Sequence, residues 1–163
     1  MITQVDHVGI YVDDLDAAVG FWRDVVGLEC TEISAHPDSG LRLAHVCVNG
    51  VELELIEAPL EKTMLRHMPY RGAGIYHVGL RTDDLEGEAA RLRSAGLELL
   101  DETPRTGGGM RIQFTAPGRL SQGVMIELVD RVIPGPADRS RVGTTEESAG
   151  ERPGPAGRAR KST

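Results

Sequence analysis

The chain alternates strand-like and helix-like segments, and the same order of segments occurs twice. Residues 6–15 (DHVGIYVDDL) alternate in polarity, and an apolar stripe at helical spacing then runs from Leu15 to Val26 and stops at Gly27. Residues 76–85 (YHVGLRTDDL) begin a second round, whose helical stripe runs from Leu85 to Ala95 and stops at Gly96. The other predicted strands cover residues 28–35, 41–48 and 50–57 in the first round and 97–102, 110–115 and 123–130 in the second.

The two rounds share residues as well as a pattern. HVG and DDL recur at a constant offset of 70 residues, and GVELELIE (50–57) matches GVMIELVD (123–130) at the end of each round. Each round therefore predicts a strand, a helix and three strands, over about residues 3–57 and 73–131, with a short helix at 62–67 in the linker. Because such a unit has little core of its own, two copies related by a pseudo-twofold axis would pack their sheets together or line one shared cavity.

Length and composition limit the class of protein. The 163 residues carry 40% hydrophobic and 26% charged side chains, which is typical of one globular domain. No stretch approaches the ~18 consecutive apolar residues of a transmembrane helix, and the N-terminus lacks the features of a signal peptide. The two cysteines, Cys30 and Cys47, have no CxxC spacing and suit reduced thiols. We therefore expect a cytoplasmic protein without membrane contact.

The net charge limits the kinds of partner that the protein can bind, and the composition of the C-terminal segment limits the extent of the ordered domain. The net charge of −7 argues against a nucleic-acid partner, which would require a basic surface. From Pro134 to Thr163 the chain has no aromatic residue and almost no apolar ones. Because such a segment cannot bury enough apolar surface to offset its ordering entropy, we predict an ordered domain over residues 1–133 and a disordered tail over 134–163.

Four polar residues lie at matching places in the repeated strands. His7 and His77 stand at the start of the first strand of each round, and Glu54 and Glu127 lie in the last. A pseudo-twofold axis would bring two imidazoles and two carboxylates together, which forms a site for a divalent metal with open positions for water or substrate. Glu127 lies in a strand that is apolar from 124 to 129, and a carboxylate buried there needs such a partner.

Glu54 has two acidic neighbours that compete for the same role. Glu52 shares its face of the strand, whereas Glu57 lies on the opposite face. The sequence therefore favours Glu54 as the fourth ligand mainly through its match with Glu127.

Several segments together resemble the vicinal oxygen chelate superfamily of paired βαβββ modules. They are DHVGIYVDDLDAAVGFW, ELELIEAP, YHVGLRTDDL and GVMIELVD, and the resemblance covers about residues 3–131. Within the superfamily, RGAGIYHVGLRTDDL and residues 101–129 (DETPRTGGGMRIQFTAPGRLSQGVMIELV) resemble the methylmalonyl-CoA epimerases most. The resemblance implies an α+β fold in which two tandem βαβββ modules form a pseudo-twofold curved sheet around a central metal cavity.

The resemblance also implies a ligand set and a reaction. His7, His77 and Glu127 correspond to metal ligands, and Glu54 takes the place of the family's Gln or Glu ligand. The metal would be cobalt, nickel, manganese, zinc or iron. The implied activity is epimerisation of (2R)- and (2S)-methylmalonyl-CoA, or of a similar acyl thioester, by proton transfer through a metal-stabilised enolate. A homodimer is a further expectation from the resemblance.

Inversion of a stereocentre requires an acid or base on each face of the planar intermediate. Glu127 and Glu54 are candidates for these groups. Some epimerases have a glutamate proposed as an acid/base in the third strand, where this chain has Leu43. His45 lies on the same face of that strand and is a further candidate, the alternative being a strand histidine with no role.

Three other functions remain open at this point. A glyoxalase-type isomerase would use the same four ligands, but its longer DPDGY-like turn is absent. An extradiol dioxygenase needs two His and one carboxylate, so the extra Glu54 and the 4% aromatic content count against it. A non-catalytic antibiotic-binding resistance protein often lacks the metal ligands, so the retention of all four disfavours it.

Overall fold

The two predicted modules form a single mixed sheet of eight strands. The computed structural model describes residues 1–59, 64–68, 72–107 and 110–131. The first module consists of β1 (Ile2–Tyr11), α1 (Leu15–Gly20), β2 (Ser34–His36), β3 (Leu41–Val48) and β4 (Val51–Glu57). The second consists of β5 (Gly74–Thr82), α2 (Leu85–Ser94), β6 (Arg105–Gly107), β7 (Met110–Phe114) and β8 (Ile126–Arg131). A π-helical turn, Phe21–Val25, continues α1, and a 3-10 helix, Met64–His67, lies in the linker.

The topology confirms the predicted twofold relation. The strand order is β2-β3-β4-β1-β5-β8-β7-β6, so each module runs outward from the centre in the same sequence. β1 and β5 pair antiparallel at the centre, and each pairs parallel with the last strand of its own module. The sheet curls into a half-barrel with few helices, as the predicted α+β fold class requires.

Two predicted strands were wrong in their position. Residues 28–35 form a strand only from Ser34, and residues 97–102 form no strand, since β6 begins at Arg105. Cys30 and Leu99 make single bridges to the sheet. The reason is that the apolar residues of these segments pack beside the helices, so their alternation does not reflect strand pairing.

Other predictions lie partly or wholly outside the described residues. The linker helix predicted at 62–67 corresponds to the 3-10 helix, of which residues 62 and 63 lie outside the described part. The predicted tail, residues 134–163, also lies outside it. None of the helices that the structure describes is long and apolar enough to cross a membrane.

The repeated DDL motif begins each helix. The Asp14 carboxylate accepts a hydrogen bond from the Ala17 N–H at 2.9 Å, and the Asp84 carboxylate accepts one from the Gly87 N–H at 2.9 Å. These bonds satisfy backbone donors that a first helical turn leaves unpaired. The leucine after each aspartate, Leu15 or Leu85, is buried completely or almost so. DDL is therefore a helix start and carries no chemistry.

Alternation along the strands divides the sheet into two faces. On the convex face, Val46 and Leu55 pack with α1, and Leu128 packs with α2. Their neighbours in the chain, among them Glu54 and Glu127, point to the concave face because successive strand residues face opposite ways. The helices thus cover one side and leave the other side for the site.

Replacement of a helix cap tests the role of DDL. Asp14→Ala is expected to lower the free energy of unfolding by about 1 kcal/mol, because the Ala17 N–H loses its acceptor. Urea denaturation measures the change. Asp13→Ala is the matched control, because Asp13 is exposed, lies outside the helix and should change stability by less than about 0.5 kcal/mol. Equal effects of the two substitutions would contradict the capping role.

Candidate metal centre

The two histidines and Glu127 meet on the concave face of the four central strands. The Nε2 atoms of His7 on β1 and His77 on β5 lie 2.8 Å apart. Oε2 of Glu127 on β8 lies 2.8 Å from the first and 2.9 Å from the second. All three side chains are buried, and they form a group that could hold a metal ion.

The spacing of these atoms fits a common cation. Ligand atoms at 2.0–2.1 Å from one metal and at right angles to each other lie about 3 Å apart. The three observed separations are close to that value, and the donor set of imidazole and carboxylate suits a first-row divalent ion. Glu54 on β4 lies further out, with Oε2 at 3.9 Å from both Nε2 atoms. Glu54 therefore borders the three-atom group without completing it.

Two glycines make room for the histidine rings. In the antiparallel pair of β1 and β5, His7 lies opposite Gly79 and Gly9 lies opposite His77. A Cβ on Gly9 would come within 2.8 Å of Nε2 of His77 and closer to other ring atoms, and a Cβ on Gly79 would come within 2.9 Å of Nε2 of His7. The repeated HVG motif therefore places each ring over the glycine of the other module.

The acids approach the same two glycines from the outer strands. Glu54 on β4 pairs with Gly9, and Glu127 on β8 pairs with Gly79. Each glycine thus lies between an acid of its own module and the other module's histidine. This arrangement follows the pseudo-twofold axis and brings the acids to opposite sides of the histidine pair.

Burial and hydrogen bonding shift the pKa values of Glu127 and His7 in opposite directions. Burial alone would raise the pKa of Glu127, but hydrogen bonds with His7 and His77 lower it to about 2. Burial alone would lower the pKa of His7, but hydrogen bonds with Asp6 and Glu127 raise it to about 10. In the metal-free protein a proton on His7 therefore partly compensates for the buried carboxylates.

The sequence-predicted residues differ in what they contact. Glu54 lies beside the group, whereas Glu52 contacts Arg131 at 3.0 Å and Glu57 accepts hydrogen bonds from Leu15 and Arg42. Of the three glutamates of β4, Glu54 is therefore the one whose carboxylate lies beside the two histidines. The pKa of Glu54 is lowered, since contacts with His45 and the charges of the two histidines outweigh its burial.

His45 and Leu43 share the concave side of β3. Nε2 of His45 lies 3.5 Å from Oε1 of Glu54, its directly paired neighbour on β4, and the imidazole is partly exposed. Leu43 instead packs against an apolar cluster beside the site. The buried members of this cluster are Tyr11, Ile56, Ala58, Tyr76, Phe114 and Met125.

Sequence reasoning missed two residues that precede the histidines. Asp6 contacts Nδ1 of His7 at 3.0 Å, and Tyr76 stacks edge-on against the ring of His77 with 4.9 Å between centroids. Burial raises the pKa of the Tyr76 phenol, which therefore stays protonated. A signal was present, since an acid next to a predicted ligand is a common second partner of a metal-bound histidine.

The family follows from comparison with known proteins. Residues 6–114 match the model of the glyoxalase/bleomycin resistance protein/dioxygenase superfamily. The match covers more than half of the chain, so the chain belongs to this superfamily. The resemblance inferred from the motifs is confirmed.

Its relatives include several methylmalonyl-CoA epimerases. An ethylmalonyl-CoA/methylmalonyl-CoA epimerase of Cereibacter sphaeroides is 27% identical over 132 residues, which cover 78% of this chain and 98% of that protein. A variant of the Streptomyces coelicolor methylmalonyl-CoA epimerase, solved in complex with 2-nitronate-propionyl-CoA, matches with a TM-score of 0.70 and 30% identity over 82% of this chain and 100% of that one. The Mycobacterium tuberculosis methylmalonyl-CoA epimerase matches with a TM-score of 0.67 and 34% identity over 85% and 93%.

Substitution of the central glycines tests the geometry of the site. Gly9→Ala and Gly79→Ala are each expected to weaken the binding of Zn²⁺ or Co²⁺ by about 10- to 100-fold, because the new methyl group displaces the facing imidazole. Competition with a chromogenic chelator measures the affinity. Gly20→Ala is the control, because the nearest atom to its added Cβ is 3.9 Å away. Unchanged affinity in both variants would show that the rings tolerate displacement.

The pKa of His7 predicts how the metal-free protein responds to alkali. A pKa raised from 6.5 to about 10 contributes stability that is fully present below pH 6.5 and is lost as the pH rises towards 10. The free energy of unfolding of chelator-treated protein, measured in urea, should therefore fall over this range. His7→Gln should flatten the profile. A profile of the original chain that rises between pH 6.5 and 10 would contradict the charged state assigned to His7.

Proposed function

We propose that the protein is a divalent-metal-dependent epimerase of methylmalonyl-CoA or of a similar acyl thioester. The observation that carries the proposal is the meeting of His7, His77 and Glu127 within 2.9 Å of one another, with Glu54 at their edge. The relationship to methylmalonyl-CoA epimerases supports the same reaction class. One of these structural neighbours binds a nitronate analogue of an acyl-CoA, which supports an acyl-CoA ligand for this chain.

We assign four residues to the metal. His7, His77 and Glu127 would hold it through the atoms that already lie together, and Glu54 would reach it by a shift of its carboxylate. A bound divalent cation supplies Lewis-acid stabilisation of negative charge that develops on substrate oxygens. Two carboxylates and two neutral imidazoles match the charge of such an ion.

The proton transfer is assigned to groups on the two sides of the pseudo-twofold axis. Glu54 and Glu127 approach the centre from opposite outer strands, so a planar intermediate on the axis has one carboxylate at each face. In one direction Glu127, which is ionised, takes the proton from the carbon next to the thioester carbonyl, and Glu54, which receives a proton from solvent by way of His45, delivers it to the opposite face. The reverse reaction exchanges the two roles.

His45 connects the Glu54 carboxylate to solvent. It lies 3.5 Å from the Glu54 carboxylate and is partly exposed, so it can pass a proton between Glu54 and solvent. Leu43, which stands where some epimerases have a glutamate, packs in the apolar cluster and offers no proton. His45 therefore acts as the proton relay of Glu54, from the strand on which some epimerases have an acid/base glutamate.

The apolar cluster fits the uncharged part of an acyl group. Its partly buried members, Leu41, Leu43, Met68, Leu100 and Ile112, lie around the buried ones next to the metal-binding atoms. Arg105 lies over the Phe114 ring at 5.3 Å from its centroid and donates from Nε to Asp101 at 3.2 Å. Its side chain is exposed and has this single acidic partner among the described residues, so its other N–H groups are placed to meet an anionic group of the ligand. Arg111 is less suited because Glu86 and Asp130 hold it, and Arg71 lies outside the described residues.

Deuterium exchange tests the proposed reaction. In heavy water, the metal-loaded protein should interconvert (2R)- and (2S)-methylmalonyl-CoA and incorporate deuterium at the α-carbon, and chelation should abolish both. His45→Gln should lower kcat by about 10²- to 10⁴-fold with unchanged metal content, because only proton transfer on one face is impaired. It should slow exchange from one epimer more than from the other, since each face serves one epimer.

His36→Gln is the matched control, because His36 is an exposed histidine of the neighbouring strand β2. It should leave both exchange rates unchanged. Stoichiometric metal without exchange from either epimer would overturn the proposal. Equal loss of exchange from both epimers in His45→Gln would leave the epimerase but remove the one-sided role of His45.

A further inference from the structure

The residues before the two histidines occupy equivalent β-bulges. Between Val5 and His7 on β1, the partner strand advances by one residue only, from Leu80 to Gly79, so Asp6 is the extra residue. Between His77 and Ile75 on β5, the partner advances only from Gly9 to Ile10, so Tyr76 is the extra residue. A bulge redirects a side chain that strict alternation would send to the other face. Asp6 and Tyr76 are thus counterparts 70 residues apart in the two modules.

Asp6 and Tyr76 make different kinds of contact with the histidines that follow them. Oδ1 of Asp6 lies 3.0 Å from Nδ1 of His7, and the Asp6 side chain is completely buried. Tyr76 contacts the ring of His77 by its edge, and Nδ1 of His77 has no hydrogen-bond partner among the described residues. The two histidines therefore occupy equivalent positions about the pseudo-twofold axis, but their Nδ1 atoms differ in their surroundings. Nδ1 of His7 has a carboxylate partner, and Nδ1 of His77 has none among the described residues.

Two arginines fix the orientation of Asp6. Nε of Arg81 donates to Oδ2 at 2.9 Å, and Arg131 donates to both carboxylate oxygens, from Nε to Oδ2 at 2.8 Å and from Nη2 to Oδ1 at 2.5 Å. Arg131 also donates to Glu52 at 3.0 Å, which ties the network to β4. Both oxygens of Asp6 are therefore acceptors in fixed directions, and the one that faces His7 can only accept a hydrogen bond from Nδ1–H.

We propose that Asp6, held by Arg81 and Arg131, is a positioning residue that keeps the proton of His7 on Nδ1 and its Nε2 lone pair directed at the metal, a role that has no counterpart at His77. The proposal rests on the metal site proposed above. It makes the two histidines unequal ligands, because the Nδ1 proton of His7 has a fixed acceptor once a metal replaces the Nε2 proton, whereas Nδ1 of His77 has no hydrogen-bond partner among the described residues. A carboxylate partner also makes the imidazole a stronger donor to the metal.

The substitution Asp6→Asn separates this role from simple burial. Because Nε of Arg81 and Nε of Arg131 both donate to Oδ2, the amide oxygen of the asparagine would take that place. Its NH₂ group would then take the place of Oδ1, where it faces Nδ1 of His7 and loses the bond from Nη2 of Arg131. That NH₂ donates to Nδ1 and so selects the tautomer with the proton on Nε2, which cannot bind a metal. We expect the affinity for Zn²⁺ or Co²⁺, measured without substrate, to fall by about 10- to 100-fold.

Glu52→Gln is the matched control. It removes a carboxylate that binds Arg131 of the same buried network. Glu52 pairs with His7 through the backbone register of β1 and β4, but the ion pairs of His7 among the described residues are with Asp6, Glu54 and Glu127. It should lower stability in urea but change metal affinity by less than about threefold, because Asp6 keeps its contact with Nδ1 of His7 and its bonds from both arginines. An equal loss of metal affinity in both variants would show that the network acts by general stabilisation, and it would overturn the positioning role.

A measurement on the unaltered chain avoids any folding defect of Asp6→Asn. Histidine side-chain ¹H–¹⁵N correlation spectra of the zinc-loaded protein should show one slowly exchanging Nδ1–H with a downfield shift, assigned to His7 by its loss in His7→Gln. A His7 signal without this hydrogen-bonded proton would overturn the proposal. Both experiments report on the metal alone, so a chain that binds zinc as described but epimerises nothing would refute the proposed reaction and leave this inference intact.

Discussion

The structure depends on a close contact between two imidazole rings across the central pair of antiparallel strands. Each ring lies over a glycine of the other module, and any larger residue there would collide with it. The same two glycines are flanked by Glu54 and Glu127 from the outer strands. A chain that pairs its first and fifth strands in this register therefore brings four candidate ligands to one centre. The duplicated helices, the caps and the convex core serve to hold that register, because a slip by one residue would turn every one of these side chains to the other face.

A symmetric scaffold supports a site whose two ends differ. Around His7 lie charged, mutually hydrogen-bonded groups, namely Asp6, Arg81, Arg131 and Glu52. Around His77 lie aromatic and aliphatic groups, with Tyr76 and Phe114 edge-on to its ring at 4.9 and 5.3 Å. Duplication supplied two equivalent bulged positions, and the residue in each decides the surroundings of the adjacent ligand. The ionic end is rigid because every charge has a partner, whereas the apolar end has the aromatic and aliphatic composition typical of small-molecule pockets.

The fold and the positions of the four central residues could be predicted from the sequence because both depend on local repetition. HVG and DDL recur with the strands and helices that contain them, and Glu127 stands in an apolar strand whose burial demands a partner. The positions of the edge strands could not be predicted, because apolar residues such as Cys30 and Leu99 pack against the helices. Their alternation along the chain therefore resembles that of a strand. The Asp6–Arg131 contact joins residues 125 apart, and the bulge that turns Asp6 inward depends on the register of two strands, so neither leaves a periodic signal in one segment. The sequence did not show that Gly9 and Gly79 make room for imidazole rings, because this depends on the strand register that places His77 and His7 opposite them.

The distribution of buried charge explains why the centre suits a divalent ion. Asp6 and Glu52 carry two negative charges, and Arg81 and Arg131 carry two positive ones, so this outer group is neutral by itself. Glu54 and Glu127 bring two further negative charges to the inner group, where no arginine among the described residues forms an ion pair with them. A protonated His7 compensates for one of these charges at most, and a buried charge without a counter-charge is costly. A divalent cation would neutralise both carboxylates and return His7 to its neutral form. In the proposed metal site the outer network therefore has a second role besides stability, because its own neutrality would leave the inner carboxylates available to a cation.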